Sequence, residues 1–488
     1  MADTINAPGA PGAPGKPGAD TNSNGLGSPG NPVPDDMASA IDVKPYTVAD
    51  HDNTTVDSGA AIPVAVDYVE AQLVELWRDV AMAAQAMGGS QSVTTAQVLN
   101  LVVRAKSYKA ANSHVEAIEL ITGRHPSRVI VAATDQEDAE MPVQAWVSIH
   151  CQLPPSGGRQ VCCELVTVAA GSESERRMAA AIIPLLLPDL PVFCWWPEGD
   201  PFDEYVFRNL SDSLNRLIVD SAHFESPEGT LSKMSTQLKT QWPKLAVTDI
   251  NWGRLTPWRE MVAGFFDAPN MRPYLDRIGH VNIEYALTPE HHGHVNRAQA
   301  LLLAGWLASR LGWETADNIY QLIHSETSPV PRAHLTLRSG KRNITVDLNA
   351  VSRKTDTPGD IYSIRLEVPG AQPGSIPAAN FSVSLTDRED ACAVMRVESE
   401  GSSATERTIQ LQPLTESDLL DEELEVYSHD VVYEDALSVV GAFIRGTKHT
   451  SKSTPMSHKV SSGEPISAAQ AQQPRGRPQG PISRGPGG

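Results

Sequence analysis

Residues 96–133 decide the fold class and read AQVLNLVVRAKSYKAANSHVEAIELITGRHPSRVIVAA. Residues 96–105 are apolar and β-branched, which predicts a buried strand. Apolar residues at helical spacing follow, and the helix that they predict stops at Gly123. Residues 127–133 predict another strand. A strand, a helix and a strand in so short a stretch indicate a βαβ unit with a parallel pair of strands.

The rest of the N-terminal half extends this sheet. Alternating apolar residues predict strands over 143–151 and 161–165, and buried strands are predicted over 190–196 and 216–220. A helix is predicted over residues 66–80, before the first strand, and helices over 173–187 and 203–215 are predicted between later strands. We therefore expect an α/β domain over residues 61–225 with a mixed, partly parallel sheet.

The second half changes character. Residues 226–325 are predicted to be a helical connecting region. Residues 326–446 are predicted to form an α+β domain with an antiparallel meander, which starts with a hairpin over 333–349. Thr415 begins a pattern that resembles a capping box. A final helix is predicted over 431–443.

The two ends of the chain differ in composition from its middle. Residues 1–35 hold seven Pro and seven Gly, and no aromatic residue precedes Tyr46. Such segments cannot bury enough apolar surface to offset the entropy of ordering. We therefore predict disordered, Pro/Gly-rich segments over residues 1–60 and 447–488.

The charge of the chain argues against nucleic-acid binding. Its 488 residues carry a formal net charge of −20, and phosphate contacts to basic side chains dominate nucleic-acid affinity. The end from Lys448 is an exception, because basic residues are in excess there. We interpret it as a solubilising disordered end, and a contact with an acidic partner is the alternative.

No targeting or membrane segment is predicted. The N-terminus lacks a basic segment followed by an apolar one, so it does not resemble a secretory signal. The most apolar run, 178–188, is shorter than the roughly 20 residues of a membrane span. We expect a soluble, cytoplasmic protein without membrane contact.

Common catalytic and phosphate-binding motifs are absent from the sequence. It contains no Walker A segment, G-x-G-x-x-G, G-x-S-x-G or H-E-x-x-H, which argues against catalysis. The candidate metal site with the most suitable ligand types is residues 290–294, EHHGH, but neighbouring ligands in a loop need a sharp fold to converge on one ion. Exposed histidines that lead into a helix are the favoured interpretation, and no metal or cofactor is predicted.

Five cysteines in a chain of this length do not predict a disulfide framework. Cys162 and Cys163 are adjacent in a strand, so their side chains point to opposite faces. Cys151 and Cys163 lie on the apolar faces of neighbouring strands and are predicted to be buried, as is Cys194. Cys392 falls in the C-terminal sheet and has no cysteine near it in sequence.

Two aromatic segments are candidates for a partner interface. They read PDLPVFCWWPEGDPF (188–202) and NWGRLTPWRE (251–260). Strand ends and helix starts of α/β folds are where ligands and partners dock, and Trp and Arg are enriched in interface hot spots. An aromatic core with arginines packed over the rings is the alternative interpretation. The interface candidates are Trp195, Trp196, Arg254, Trp258 and Arg259.

Five segments together carry a resemblance to a known family. They are HPSRVIV (125–131), VCCELVTV (161–168), PLLLPDLPVFCWWP (184–197), RLIVDSAHF (216–224) and INWGRLTPWREMVAGFFD (250–267). In this order they resemble the glucose-6-phosphate dehydrogenase assembly protein family, OpcA, of cyanobacteria and actinobacteria. The resemblance runs from about residue 66 to residue 445 and leaves out the Pro/Gly-rich ends.

The resemblance implies a non-enzymatic protein that binds homo-oligomeric glucose-6-phosphate dehydrogenase, promotes its active oligomer and raises its activity. It also implies a place in the oxidative pentose phosphate pathway, as a source of NADPH. Some similar members are tuned by thioredoxin through a cysteine pair in the C-terminal domain. Here that domain contains Cys392, the candidate redox thiol, and position 398 is Glu398.

Two other hypotheses remain open. One is an enzyme of sugar-phosphate metabolism whose site combines Arg254 and Arg259 with His291, His292 and His294. The other is a redox-sensing scaffold that depends on the five thiols.

Overall fold

A computed structural model describes most of the chain between residues 61 and 446. The residues of this range outside the description are 87–92, 95–96, 108–109, 112–113, 153–159, 288–294, 326–327, 354, 356, 371–375 and 387–391. The two ends predicted to be disordered, 1–60 and 447–488, also lie outside it. Among the described residues, no helix is both long and apolar enough to cross a membrane.

The described residues contain helices throughout, and strands that form two sheets. The α-helices are α1 (Val69–Ala86), α2 (Val115–Thr122), α3 (Met178–Ile182), α4 (Tyr205–Leu210), α5 (Pro227–Thr240), α6 (Ile250–Arg254), α7 (Thr256–Gly264), α8 (Ala298–Arg310), α9 (Glu416–Leu424) and α10 (Val431–Arg445). The strands of the first sheet are β1 (Ile62–Val64), β2 (Val93–Thr94), β3 (Leu99–Ala105), β4 (Ser127–Asp135), β5 (Gln144–Gln152), β6 (Gln160–Gly171), β7 (Val192–Trp196), β8 (Arg216–Val219) and β9 (Ala246–Asp249). The strands of the second sheet are β10 (His280–Leu287), β11 (Glu314–Ser325), β12 (Ser328–Ser339), β13 (Arg342–Ser352), β14 (Ile361–Val368), β15 (Ala379–Leu385), β16 (Cys392–Ser399) and β17 (Thr405–Gln410).

The first sheet is mixed, with a parallel centre. Its order is β1-β5-β6-β4-β3-β7-β8-β9, and β2 pairs with β6. Each neighbouring pair among the six strands from β6 to β9 in this order is parallel. β5 pairs antiparallel with β6, and β1 pairs antiparallel with β5. The predicted βαβ unit is confirmed, because β3 and β4 pair in parallel with Leu99 opposite Ser127. The chain proceeds outward from β3 in one direction and from β7 in the other, so these two strands flank a topological switch point.

Helices cover both faces of the first sheet. Every residue of β3 is buried, and its side chains alternate between two apolar clusters. Val102 belongs to the cluster that includes α1, α3, α4 and α5, whereas Val103 belongs to the cluster with α2 and α9. Sheets enclosed in this way have continuous apolar strands instead of alternating ones, which explains the sequence of β3.

The second sheet has the order β11-β12-β13-β10-β14-β15-β16-β17. Its neighbours are antiparallel except β10 and β13. The predicted hairpin is β12 and β13, whose turn contains Gly340 at a φ of 60°. Phe381 of β15 contacts the rings of Phe265, Phe266 and Tyr274. This sheet therefore has one apolar face that packs against the helical part of the chain.

The middle of the chain differs from the expected helical connection. Residues 226–325 contain helices, but they also supply β9 to the first sheet and two strands to the second, the central β10 and the edge strand β11. The helix expected over 173–187 is a 3₁₀ turn, the short α3 and another 3₁₀ turn that includes Pro184. Proline lacks the amide hydrogen that a continuing helix needs. The proposed domain boundaries stay predictions.

Close helix packing at Gly305 gives a testable prediction about stability. A Cβ atom there would lie 2.7 Å from the carbonyl oxygen of Ala436 in α10, so Gly305→Ala is expected to destabilise the fold by about 1–3 kcal/mol through overpacking. Gly264 in α7 is the matched control, because nothing lies within 4 Å of a Cβ atom there. Urea denaturation of both variants measures the difference, and equal stabilities would contradict the packing.

Candidate functional site

A ligand-sized crevice lies at the carboxyl edge of the first sheet. A cavity of about 390 Å³ lies beside the segments that follow β3, β7 and β8. Ligands of open α/β sheets bind at this edge, next to the switch point. The ionisable residues that line the cavity are Lys106, Asp200, Asp203, Glu204, Glu225 and Lys233.

Carboxylates outnumber cations in this cavity, and both cations are paired. The Nζ atom of Lys233 lies 3.1 Å from Oδ2 of Asp200 and also contacts Asp203. The Nζ atom of Lys106 lies 3.3 Å from Oε1 of Glu225. A phosphate group would meet an excess of negative charge here, which opposes binding.

A buried arginine at the end of β3 is also occupied within the chain. Arg104 is 5% exposed, and its Nη2 atom lies 2.7 Å from Oε1 of Glu175 and 2.9 Å from Oε2 of Glu204. Burial raises the pKa of Glu204, and the charge of Arg104 opposes that rise. This guanidinium therefore has carboxylate partners on two sides and is not free to hold an anionic ligand.

A second polar cluster lies at the ends of β8 and β9. Asp220 and Asp249 have no exposed surface. Nη1 and Nη2 of Arg254 each donate a hydrogen bond of 2.8 Å to a different oxygen of Asp220. Burial alone would raise the pKa of Asp220, but hydrogen bonds from His223 and Arg254 outweigh burial and hold it well below its ordinary value. Asp220 is therefore a buried carboxylate that stays charged.

Asp249 has the opposite electrostatic environment. Its Oδ1 atom accepts hydrogen bonds of 2.9 Å from the amides of Ser221 and Asn251. Its Oδ2 atom has no hydrogen-bond partner among the described residues. Burial, together with the charge of Asp220, raises the pKa of Asp249 to about 7. The two neighbouring carboxylates therefore differ in charge over much of the acidic range.

Hydrogen bonds continue from this cluster to the second sheet. The side-chain nitrogen Nε2 of Gln299 in α8 donates hydrogen bonds to Oδ1 of Asn251 at 2.7 Å and to Oδ1 of Asp360 at 2.8 Å. Asp360 directly precedes β14. The cluster thus forms a polar junction between the first sheet, α8 and the second sheet.

The tryptophans predicted at an interface lie inside the fold. Trp195 and Trp196 are fully buried and belong to different apolar clusters, because adjacent strand residues point to opposite faces. The ring of Trp195 lies 4.9 Å from that of His114, centre to centre. Trp258 is 6% exposed and shares a cluster with Trp196.

The two arginines of the interface prediction also contact the chain itself. The guanidinium carbon of Arg259 lies 3.6 Å from the centre of the Trp252 ring, and Arg254 is paired with Asp220. The contact of Arg259 agrees with the alternative interpretation, an aromatic core with arginines packed over the rings. A direct role of these residues at a partner surface stays a prediction.

The structure corrects the interpretation of the cysteines, because it contains a disulfide between Cys151 and Cys162. The two residues are directly opposite each other in the antiparallel pair β5 and β6, while Cys163 is opposite His150. The predicted burial of Cys163 and Cys194 is confirmed, whereas that of Cys151 is wrong, because Cys151 is half-buried. Burial raises the pKa values of the Cys163 and Cys194 thiols to about 11 and about 12. Cys392 is half-buried at the start of β16.

Metal binding finds no support in the described part of the chain. Among those residues, no group of three or more His, Cys, Asp or Glu side chains could hold an ion. The histidines of the candidate metal segment, His291, His292 and His294, lie outside the described residues.

Two family models match successive parts of the chain. Residues 118–236 match the model described as the N-terminal domain of a glucose-6-phosphate dehydrogenase subunit. Residues 245–437 match the model described as the C-terminal domain of the same protein. The five segments quoted from the sequence all lie within these matches.

Curated relatives carry the name OpcA and are described as OxPP cycle proteins. The chain is 30% identical to the Synechocystis protein over 339 residues, which cover 67% of this chain and 65% of that protein. It is 27% identical to the Synechococcus elongatus protein over 350 residues, which cover 68% and 70% of the two chains. The matched region thus spans less than two thirds of the Synechocystis protein's length.

Among solved structures, the chain has a weak likeness to oxidoreductases. A 3-ketoreductase from Actinomadura kijaniata is 10% identical, with a TM-score of 0.40 over 72% of this chain and 96% of that one. An oxidoreductase from Sinorhizobium meliloti is 11% identical, with a TM-score of 0.41 over 72% and 97%. A likeness of this size does not bear on the function. The family models and the curated relatives do agree, and this chain belongs to the OpcA family of glucose-6-phosphate dehydrogenase assembly proteins.

Proposed function

We propose that this chain is a non-catalytic factor that binds glucose-6-phosphate dehydrogenase, promotes its active oligomer and raises its activity in the oxidative pentose phosphate pathway. It acts in the cytoplasm and thereby supports the supply of NADPH. As an activator, it must bind the active conformation of the dehydrogenase more tightly than the inactive one. The family models, described as parts of a dehydrogenase subunit, support this proposal.

The charge of the crevice at the switch point is the structural observation that carries the proposal. The parallel strands have an order typical of dinucleotide-binding domains. However, the segment after β3 begins Lys106-Ser107 and contains no glycine before α2, so the backbone approach to a pyrophosphate is missing. Four carboxylates and two lysines line the crevice, and both lysines are paired with carboxylates. This arrangement favours a binding protein over a dehydrogenase.

Redox tuning is the finer part of the proposal. Cys392 is a half-buried free thiol in the second sheet, and Cys151 is joined to Cys162 in the first. Thiol oxidation or reduction, with thioredoxin as the reductant, would change the strength of activation. The second sheet contains no other described cysteine, so an intramolecular disulfide of Cys392 has no described partner there.

Mixing the purified chain with its cognate dehydrogenase tests the proposal. The chain alone is expected to show no NADP-linked oxidation of glucose 6-phosphate. In the mixture, the apparent Michaelis constant of the dehydrogenase should fall roughly 5- to 150-fold, the range of a typical coupling free energy of about 1–3 kcal/mol. Light scattering measures the mass of the complex, and parallel mixtures with reduced and oxidised chain test the redox tuning.

Three results would count against the proposal. Turnover of a sugar phosphate by the chain alone would favour the enzyme hypothesis. The absence of both co-elution and a kinetic effect would exclude an activator. Equal activation by the reduced and oxidised chain would remove only the redox tuning.

A further inference from the structure

The second sheet has two unlike faces. Val281, Ile283 and Tyr285 of β10 have no exposed surface and belong to the apolar core. The residues between them are polar and half-buried. We call the polar side the open face. It is marked by one row of paired residues across five neighbouring strands, Asp347, Asn282, Arg365, Ser382 and Arg396.

The open face is large enough for a stable protein contact. The sheet has eight strands, and strands lie about 4.8 Å apart, so it is about 34 Å wide. Its strands have 6–12 residues, about nine on average, which gives a height of about 30 Å. The product, about 1,000 Å², exceeds the roughly 800 Å² that each partner buries in a standard interface.

The arginines of the open face are of the type that interfaces prefer. In the described strands they are Arg332, Arg338, Arg365 and Arg396, placed on this side by the strand register. None of the lysines that the structure describes lies in a strand of this sheet. Protein interfaces are enriched in Arg and depleted in Lys. The face therefore differs from an ordinary solvated surface.

Arg365, near the middle of the sheet, is not used within the chain. Its side chain is exposed, and it makes no hydrogen bond or ion pair with any residue that the structure describes. Arg396 is different, because its guanidinium is paired with Glu398 and lies 3.0 Å from Glu406. An exposed and unpaired guanidinium near the middle of the sheet can form a charge-assisted, bidentate contact with a carboxylate.

We propose that the open face is the surface through which this chain contacts glucose-6-phosphate dehydrogenase, with Arg365 opposite a carboxylate of the enzyme. This inference rests on the proposed function. A second copy of the chain fits the surface less well, because two chains that each carry a net charge of −20 repel each other. The family model described as the C-terminal domain of a glucose-6-phosphate dehydrogenase subunit covers residues 245–437, which include every strand of this sheet.

The test compares Arg365→Glu with a matched control. Arg78→Glu makes the same change at an exposed position of α1, far from the second sheet in sequence. Isothermal titration calorimetry with the dehydrogenase is expected to show binding at least about tenfold weaker for Arg365→Glu and unchanged binding for Arg78→Glu. Ser382→Trp, which adds bulk without charge beside Arg365, should also weaken binding. Melting temperatures close to that of the wild type show that all three variants fold.

The possible outcomes separate this inference from the proposed function. If the wild type binds and both open-face variants bind equally well, the surface is wrong and the function stands. If the wild type alone is a dimer that Arg365→Glu dissociates, a second copy occupies the open face and the inference is overturned. If the wild type does not bind the dehydrogenase at all, the proposed function fails and the docking surface fails with it.

Discussion

Replacing Arg254 with alanine is expected to lower the free energy of unfolding by about 3–5 kcal/mol, because it breaks a buried ion pair from one side. Asp220 has no exposed surface, and both of its oxygens accept hydrogen bonds of 2.8 Å from Arg254. Alanine would leave this carboxylate buried, with His223 as its remaining side-chain partner at 3.2 Å. Urea denaturation at neutral pH measures the loss.

Two further variants make this prediction specific. Arg259→Ala removes an arginine from the same segment, but that side chain stacks on Trp252 and has no carboxylate partner among the described residues. We expect it to cost only about 0.5–2 kcal/mol, the range of cation–π contacts. Adding Asp220→Asn to Arg254→Ala should restore part of the stability, because the unpaired charge is then gone. Unchanged stability of Arg254→Ala together with lost partner binding would instead favour the interface role.

Raising the pH from 4 to 7 is expected to remove stability that comes from Asp249. Its pKa in the folded chain is raised to about 7, whereas that of an ordinary aspartate is about 3.9. Between these values the folded chain keeps a proton that the unfolded chain has released, so the free energy of unfolding falls as the pH rises. The contribution is complete below about pH 4 and is lost through about pH 7, with a total on the order of 4 kcal/mol.

Asp249→Asn isolates this effect. The amide oxygen can still accept hydrogen bonds from the amides of Ser221 and Asn251, but asparagine does not titrate. The difference in stability between wild type and variant should therefore change steadily from pH 4 to pH 7 in urea titrations. Asp418→Asn is the control with the opposite sign, because hydrogen bonds from Thr415 lower the pKa of Asp418. The stability that Asp418 contributes is therefore lost as the pH falls. Parallel curves for wild type and Asp249→Asn between pH 4 and pH 7 would show that the pKa of Asp249 is not raised in the folded chain.

The sequence predicts elements with a strong local pattern. The buried strands β3, β4, β7 and β8 are confirmed, and so are the hairpin β12–β13, the capping box at Thr415 and the last helix. The sequence analysis did not predict the strands β9, β10 and β11 in the middle of the chain, because their hydrophobic pattern indicates strands only in part. β10 alternates regularly at Val281, Ile283 and Tyr285, but a short strand between helices acquires its place from partners far away in sequence. Its parallel pairing with β13 depends on those distant residues.

The polar junction was also missed, although the sequence contains a signal for it. Asp220 directly follows β8, and Asp249 is the last residue of β9. These two strands are parallel neighbours, and the carboxyl ends of such strands meet at one edge of a sheet. A sequence pattern cannot show that Arg254 returns to pair with Asp220, because the pairing depends on how α6 leaves the sheet. Likewise, Trp195 and Trp196 have the composition of a hot spot, and only their burial shows that they fill the core.

The return of α9 to the first sheet has a consequence for synthesis of the chain. Arg216 is 1% exposed, and its Nη2 atom lies 2.6 Å from Oε2 of Glu423, 207 residues further along the chain. Leu419 and Leu420 of the same helix complete the cluster around Trp195. At translation rates of about 5–20 residues per second, roughly 10–40 s pass between the two halves of this contact. During that time the face of the first sheet that carries Trp195 lacks the apolar cover of α9, and Arg216 lacks its carboxylate partner.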